Sequence, residues 1–128
     1  MSNPRILIVD DHADLRKLIS LTLGSKDYDL VEAVDGPSAL EACKRCAPDL
    51  ILLDLMLPGG MDGIDICRQV RQDAALAHAK VVLLTAADQL AQRERAVEVG
   101  VDRYFPKPFS PLQLRELVES LLAADDAG

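Results

Sequence analysis

Ile6-Leu7-Ile8-Val9-Asp10-Asp11 is the stretch on which the fold turns. An unbroken apolar run stops abruptly at two carboxylates, and the pattern repeats downstream. Leu50-Ile51-Leu52-Leu53 runs into Asp54, and Val81-Val82-Leu83-Leu84 runs into Thr85. A shorter segment, Arg103-Tyr104-Phe105-Pro106, runs into Lys107-Pro108. Continuous apolar runs that alternate with helix-like stretches read as strands of a parallel sheet buried on both faces. Ligands of such sheets bind outside the carboxyl ends of the strands, where the strand order reverses. Here those ends carry three carboxylates, a hydroxyl and an amine. That set can hold a divalent metal and a phosphoryl group together.

Working outward, strand and helix alternate five times. Strands are expected at Arg5–Val9, Tyr28–Ala33, Leu50–Leu53, Lys80–Leu84 and Arg103–Phe105. The first helix runs to near Leu23, with Leu15, Leu18, Ile19 and Thr22 on one face and Gly24 as its stop. Gly36-Pro37 opens a second helix that ends before Pro48, and the third spans Gly63–Gln72 after a turn containing Pro58-Gly59-Gly60. The fourth, Gln89–Val99, has a thin apolar stripe crowded by Arg93, Glu94, Arg95 and Glu98; it reads as a solvated surface helix or as one loosely held because it moves or receives a partner. The fifth starts from Ser110, with Pro111 at the first helical position, Gln113 placed for a capping box, and Leu114, Leu117, Val118 and Leu121 as its buried stripe. Ala124–Gly128 reads as a frayed tail. Five such units with short connections predict an α/β, doubly wound, flavodoxin-like fold: a five-stranded parallel sheet in the order 2-1-3-4-5 with five helices.

The 128 residues are enough for one domain, 1–128, with a substantial core. Apolar residues make up 49%, as in globular proteins, yet no apolar stretch approaches the roughly 18 residues of a membrane span. The amino terminus, Met1-Ser2-Asn3-Pro4, lacks the features of a signal peptide. A net charge of −7 disfavours direct contact with nucleic acid or anionic lipid. Three cysteines, Cys43, Cys46 and Cys67, provide no disulfide framework and point to a reducing, cytoplasmic location. Cys43 and Cys46 form a C-x2-C pair without a second pair, so they read as small apolar residues.

In the order 2-1-3-4-5 the first and third strands are neighbours, which brings Asp10, Asp11 and Asp54 together. Carboxylates so crowded need a cation, and hard oxygen ligands on short loops suit Mg²⁺. Lys107 adds a second positive charge. Rival ligands and chemistries fit less well. A dinucleotide or flavin phosphate wants a glycine-rich or hydroxyl-rich loop after the first strand, where this chain has Asp10-Asp11-His12. Phosphatases of the haloacid-dehalogenase type use a second Asp two residues past the nucleophile, and that position is Met56. His12 and His78 have no Ser or Cys nucleophile beside them, so no hydrolase triad is visible.

The motifs ILIVDDH (6–12), LILLDLMLPGGMDG (50–63), VVLLTAAD (81–88) and DRYFPKPF (102–109) together resemble the receiver domain of bacterial two-component response regulators, the chemotaxis-regulator-like fold. The resemblance covers about Arg5 to Leu122. It implies a phosphorylation-activated switch in which Asp54 takes a phosphoryl group from a histidine kinase or phosphotransfer protein. It implies Mg²⁺ arranged by Asp10, Asp11 and Asp54, with the Met56 backbone carbonyl as a further ligand. Lys107 would bind one phosphoryl oxygen and Thr85 another, with Tyr104 reporting the movement of Thr85. A cis Lys107–Pro108 peptide is implied, as is catalysis limited to the domain's own phosphotransfer and dephosphorylation. Activation is expected to repack helix four, strand five and helix five, whose exposed face would bind an output partner or form a dimer. Met56 and Ala87 are expected to flank the approach of water to the acyl phosphate. The turn after Asp54 is one residue longer than the commonest form, and Pro106 before Lys107 is unusual. A constitutive protein-binding scaffold of degenerate receiver type is the competing reading; Asp54 and Lys107, whose loss would mark it, are both present.

Overall fold

Alternation within each apolar run divides the core in two, because successive strand side chains point to opposite faces of a sheet. The computed structural model describes residues 3–24, 27–86 and 93–127. Its strands are β1 (Arg5–Val9), β2 (Asp29–Ala33), β3 (Leu50–Asp54), β4 (Lys80–Ala86) and β5 (Arg103–Lys107), all parallel, in the order β2-β1-β3-β4-β5. The helices are α1 (Ala13–Leu23), α2 (Gly36–Cys46), α3 (Gly63–Gln72), α4 (Arg93–Glu98) and α5 (Pro111–Ala127). Leu7, Val9, Ile51, Leu53, Val81 and Leu83 face one layer, where they meet Ala39 and Cys43 of α2, Ile64, Cys67 and Val70 of α3, and Ala96 of α4. Ile6, Ile8, Leu50, Leu52, Val82 and Leu84 face the other, against Ile19 and Leu23 of α1 and Leu114, Val118 and Leu121 of α5. The twelve strand residues are all completely buried, each contributing roughly 1.5–3 kcal/mol of transfer free energy. The expected doubly wound sheet is what forms.

Local chemistry sets the helix starts. Asp35 caps α2, its side chain accepting from the Ser38 N–H at 2.9 Å while the Ser38 hydroxyl accepts from the Asp35 N–H at 3.2 Å. Asp62 and Asp65 form the same reciprocal pair at α3, at 2.9 and 3.0 Å. Ser110 and Gln113 form the expected one at α5, at 3.0 and 3.4 Å. The lengthened turn after Asp54 is closed by Gly59 and Gly60, with φ of +87° and +81°, a backbone region that favours glycine.

Several boundaries and faces differ from expectation. β3, β4 and β5 each extend past their apolar runs, so Asp54, Thr85 and Lys107 are strand residues and inherit the register of the sheet. Pro106 is accepted within β5 because that strand is at the sheet edge, where one side of the backbone needs no ladder partner. On α1, Leu23 takes the buried place expected of Leu18, which is 42% exposed. Gly24 ends α1 with right-handed geometry, its N–H bonded to the Ser20 carbonyl at 2.8 Å. α5 continues to Ala127 rather than fraying at Ala124, as helix propagation is easy once the preceding turns are packed. Of the expected Gln89–Val99 helix, the first four residues lie outside the described ones; Arg93–Glu98 is helical, with Ala96 buried and Val97 69% exposed. Cys43 and Cys67 are buried, their thiols pushed up to about 11 by desolvation, and Cys46 is half-buried. They serve as packing, consistent with their inert reading. No helix among the described residues is long and apolar enough to cross a membrane.

Candidate functional site

Register alone brings the acidic residues together. Val9 pairs with Leu53, so Asp10 and Asp54, the next residues, emerge side by side at the carboxyl ends of β1 and β3. Across β4, Asp54 pairs with Leu84, Thr85 pairs with Pro106, and Ala86 pairs with Lys107. Every strand-end group expected from the sequence therefore lies along one edge of the crevice. Gly63 at the start of α3 lets the connection close tightly over this edge: a Cβ there would sit 2.5 Å from the Asp54 carbonyl oxygen.

Asp10 is fully buried and Asp54 nearly so, while Asp11 is exposed. The Lys107 ammonium bridges the buried pair, 3.1 Å from Asp54 Oδ1 and 3.3 Å from Asp10 Oδ2. The Lys107–Pro108 peptide that carries it is cis, as the resemblance implied. Burial, and then the neighbouring Asp10 charge, push the Asp54 carboxyl above its ordinary range; Lys107 and the Met56 N–H oppose them. Counted without His12, three carboxylates against one ammonium leave two negative charges, which a single divalent cation would balance. Ligand atoms of Asp10, Asp11, His12 and Asp54 all lie within 4.8 Å of one another. By donor type and spacing, this set fits a divalent ion.

Thr85 is completely buried. Its hydroxyl donates to the Ala86 carbonyl at 3.3 Å and accepts from the Tyr104 hydroxyl at 3.4 Å. Tyr104 is half-buried against the α2–α3 side of the core. The expected Thr85–Tyr104 pairing is thus a direct contact between adjacent strands. Met56 projects outward, 59% exposed. Ala87 lies outside the described residues.

Two residues join the site that the sequence reading did not assign to it. His12 places Nδ1 3.0 Å from Asp10 Oδ1 and 3.2 Å from Asp11 Oδ1, and these contacts raise its pKa above the ordinary histidine value, the Asp10 hydrogen bond first. Its adjacency to Asp11 was visible in the triplet Asp10-Asp11-His12. Arg16, one turn into α1, donates to the Asp10 carbonyl at 2.8 Å and to Glu32 of β2 at 2.9 Å, pinning the β1–α1 loop to the sheet. Nothing local signals that role, since Glu32 is distant in sequence.

Beside the site, Leu15, Leu18, Ala86, Lys107, Pro108 and Phe109 line a largely apolar groove of about 440 Å³. A second cleft, about 280 Å³, lies between α4 and β5 and includes Ala96, Val97 and Tyr104.

Comparison with known proteins agrees with this geometry. Residues 6–119 match the model of the response regulator receiver domain. The chain is 41% identical over 122 residues to the DNA-binding response regulator MtrA of Mycobacterium tuberculosis, covering 95% of this chain and 52% of MtrA. It is 36% identical over 126 residues to the probable transcriptional regulator ycf27 of Porphyridium aerugineum, covering 98% of this chain and 51% of that protein. The chain thus spans about half the length of these curated relatives. A crystal structure of a putative response regulator from Chloroflexus aurantiacus superposes with a TM-score of 0.88 at 31% identity, covering 95% of this chain and 99% of that one. The chain belongs to the response regulator receiver domain family, the phosphorylation-activated switches of two-component signalling.

Proposed function

We propose that Asp54 is the phosphoacceptor of this switch and that Asp10, Asp11, Thr85 and Lys107 serve the transfer. The observation that carries the reading is the Lys107 ammonium held between two buried carboxylates, 3.1 Å from one and 3.3 Å from the other. A carboxylate oxygen of Asp54 attacks phosphorus as the bond from phosphorus to the donor nitrogen or oxygen breaks, and the leaving group departs on the opposite side. Such transfer depends on positioning and charge neutralisation more than on covalent help. The Met56 N–H and Lys107 hold the Asp54 carboxylate in place, and Lys107 neutralises a phosphoryl oxygen. Thr85, released from the Ala86 carbonyl, donates its hydroxyl to another. Receiver domains use Mg²⁺; Asp10, Asp11, Asp54 and the Met56 carbonyl would hold it here, and when bound it offsets the charge of the transferring group.

The donor is a histidine kinase or a phosphotransfer protein. The apolar groove between α1 and Phe109 opens beside Lys107 and Ala86, next to the reacting carboxylate, and suits a helix delivering its phosphohistidine. All 128 residues act as one receiver domain in the cytoplasm. Loss of the phosphoryl group by the domain's own hydrolysis resets the switch. Output passes through α4, β5 and α5 to a partner or a second copy. The Tyr104–Thr85 contact and the neighbouring α4–β5 cleft support this route, because withdrawing Thr85 breaks a direct link between the site and β5. The surface charge disfavours direct nucleic-acid contact by this unit, so any DNA binding resembling that of MtrA would belong to other sequence.

The test is intact-mass measurement after incubation with acetyl phosphate and Mg²⁺. One phosphoryl adduct is expected, lost in Asp54→Asn; no adduct on the parent chain would favour a constitutive scaffold. For the route, adding beryllofluoride should shift backbone NMR signals in α4, β5 and α5. Shifts confined to the strand-end loops would contradict it.

A further inference from the structure

His12 occupies the N-cap position of α1, yet its side chain makes no capping hydrogen bond. The ring instead turns back over the acidic crevice, with Nδ1 3.0 Å from Asp10 Oδ1 and 3.2 Å from Asp11 Oδ1. Its backbone N–H also donates to Asp10 Oδ1 at 2.8 Å, which ties the ring's attachment point to the buried carboxylate. The ring itself is 69% exposed, so no packing keeps it from adjusting. A potential ligand atom of His12 lies within 4.8 Å of one from each of Asp10, Asp11 and Asp54. Ligand atoms about 2.1 Å from a small divalent ion sit about 3 Å apart when adjacent and about 4.2 Å apart when opposite, so this set must close by about half an ångström or more. Both hydrogen-bonding and metal-ligating roles are open to an imidazole so placed, and they separate by metal type.

We propose that His12 is a metal-facing ligand that shifts the preference of this divalent site from Mg²⁺ toward late first-row transition ions such as Co²⁺, Ni²⁺ and Zn²⁺. The inference rests on the reading of Asp10, Asp11 and Asp54 as a divalent site. Carboxylates and carbonyls suit Mg²⁺, and imidazole suits the borderline ions. Carboxylate sites already bind Co²⁺ more tightly than Mg²⁺, so the diagnostic quantity is the change in that ratio when the imidazole is removed.

The experiment is calorimetric titration of the metal-free chain with Mg²⁺ alone and with Co²⁺ alone, at one fixed pH, with the visible absorption of the Co²⁺ form recorded alongside. His12→Ala should weaken Co²⁺ by about tenfold or more, leave Mg²⁺ within about twofold, and change the Co²⁺ spectrum. His12→Asn, which keeps a hydrogen-bond donor but no imidazole, should match His12→Ala toward Co²⁺. Equal weakening of both metals, no weakening of Co²⁺, or parental Co²⁺ affinity in His12→Asn would overturn the inference. Asp11→Asn separates this from the underlying site. If it weakens Mg²⁺ while His12→Ala leaves Co²⁺ unchanged, the divalent site stands and the role of His12 falls. If it alters neither metal, both readings fall.

Discussion

The two ends of the sheet treat charge in opposite ways. At the amino end of β4 and β5, Arg71 donates to the carbonyls of Ala77, Ala79 and Gly100 at 2.9, 2.6 and 3.0 Å and to Asp102 at 2.7 Å. The same Asp102 oxygen accepts the Val81 N–H at 2.7 Å. One cation meets one anion, and the remaining donors of the guanidinium fork close three backbone carbonyls. At the carboxyl end, Asp10 and Asp54 share one lysine, Asp11 lies against His12 beside them, and burial raises the Asp54 carboxyl. The first arrangement stabilises the fold as it stands. The second holds more carboxylates than the lysine beside them can offset, an excess that the proposed divalent ion would balance and that the clamp does not have.

That contrast can be broken at the clamp first. Arg71→Ala takes the cation from Asp102, leaving it the Val81 N–H, and strips the guanidinium donor from three carbonyls; it should lower stability by about 2–3 kcal/mol, read from the urea midpoint. Both partners are partly exposed (side chains 22% and 29%), which keeps the loss below that of a fully buried pair. A smaller loss, about 1 kcal/mol, is expected for Asp62→Ala, which removes the cap of α3 just past the site. Arg68→Ala sharpens the comparison. Its pair with Asp65 is of similar type but exposed, at 3.3 Å, and should be worth less than about 0.5 kcal/mol. A loss equal to that of Arg71→Ala would show that charge count, rather than burial and saturation, decides. Met56→Asn should leave the midpoint nearly unchanged, since the side chain is 59% exposed. Its effect should be kinetic: a polar amide there can orient water, so the phosphorylated form should decay faster once the donor is removed. Equal or slower decay would mean that Met56 does not shield the phosphorus.

The sheet was legible because its strands are buried on both faces, which writes each as an unbroken apolar run ending at the crevice. The ends of those runs therefore locate Asp10, Asp54, Thr85 and Lys107 at the crevice. The clamp was not legible, because Arg71 and Asp102 are thirty-one residues apart and each looks like a surface charge. Leu18 was misread for a related reason. Periodicity gives the apolar face of α1 but not its rotation about the axis, and the groove beside Lys107 leaves Leu18 half in solvent. Spacing shows only that His12 has no nucleophile beside it; its contacts with Asp10 and Asp11 depend on how the β1–α1 loop turns, which spacing does not specify.

The comparison is tested most directly by the stability of Asp54→Asn against the parent, both free of metal, across pH. The Asp54 carboxyl titrates above its unfolded value, so its charged form is the costly one in the folded chain. The advantage of the neutral amide should be full above the folded value, fade as the pH falls through it, and vanish below the unfolded value of about 4. At pH 7 without metal the variant should therefore unfold at higher urea than the parent, and Mg²⁺ should stabilise the parent more than the variant. A variant less stable than the parent at pH 7 without metal, as Arg71→Ala is expected to be, would contradict the account.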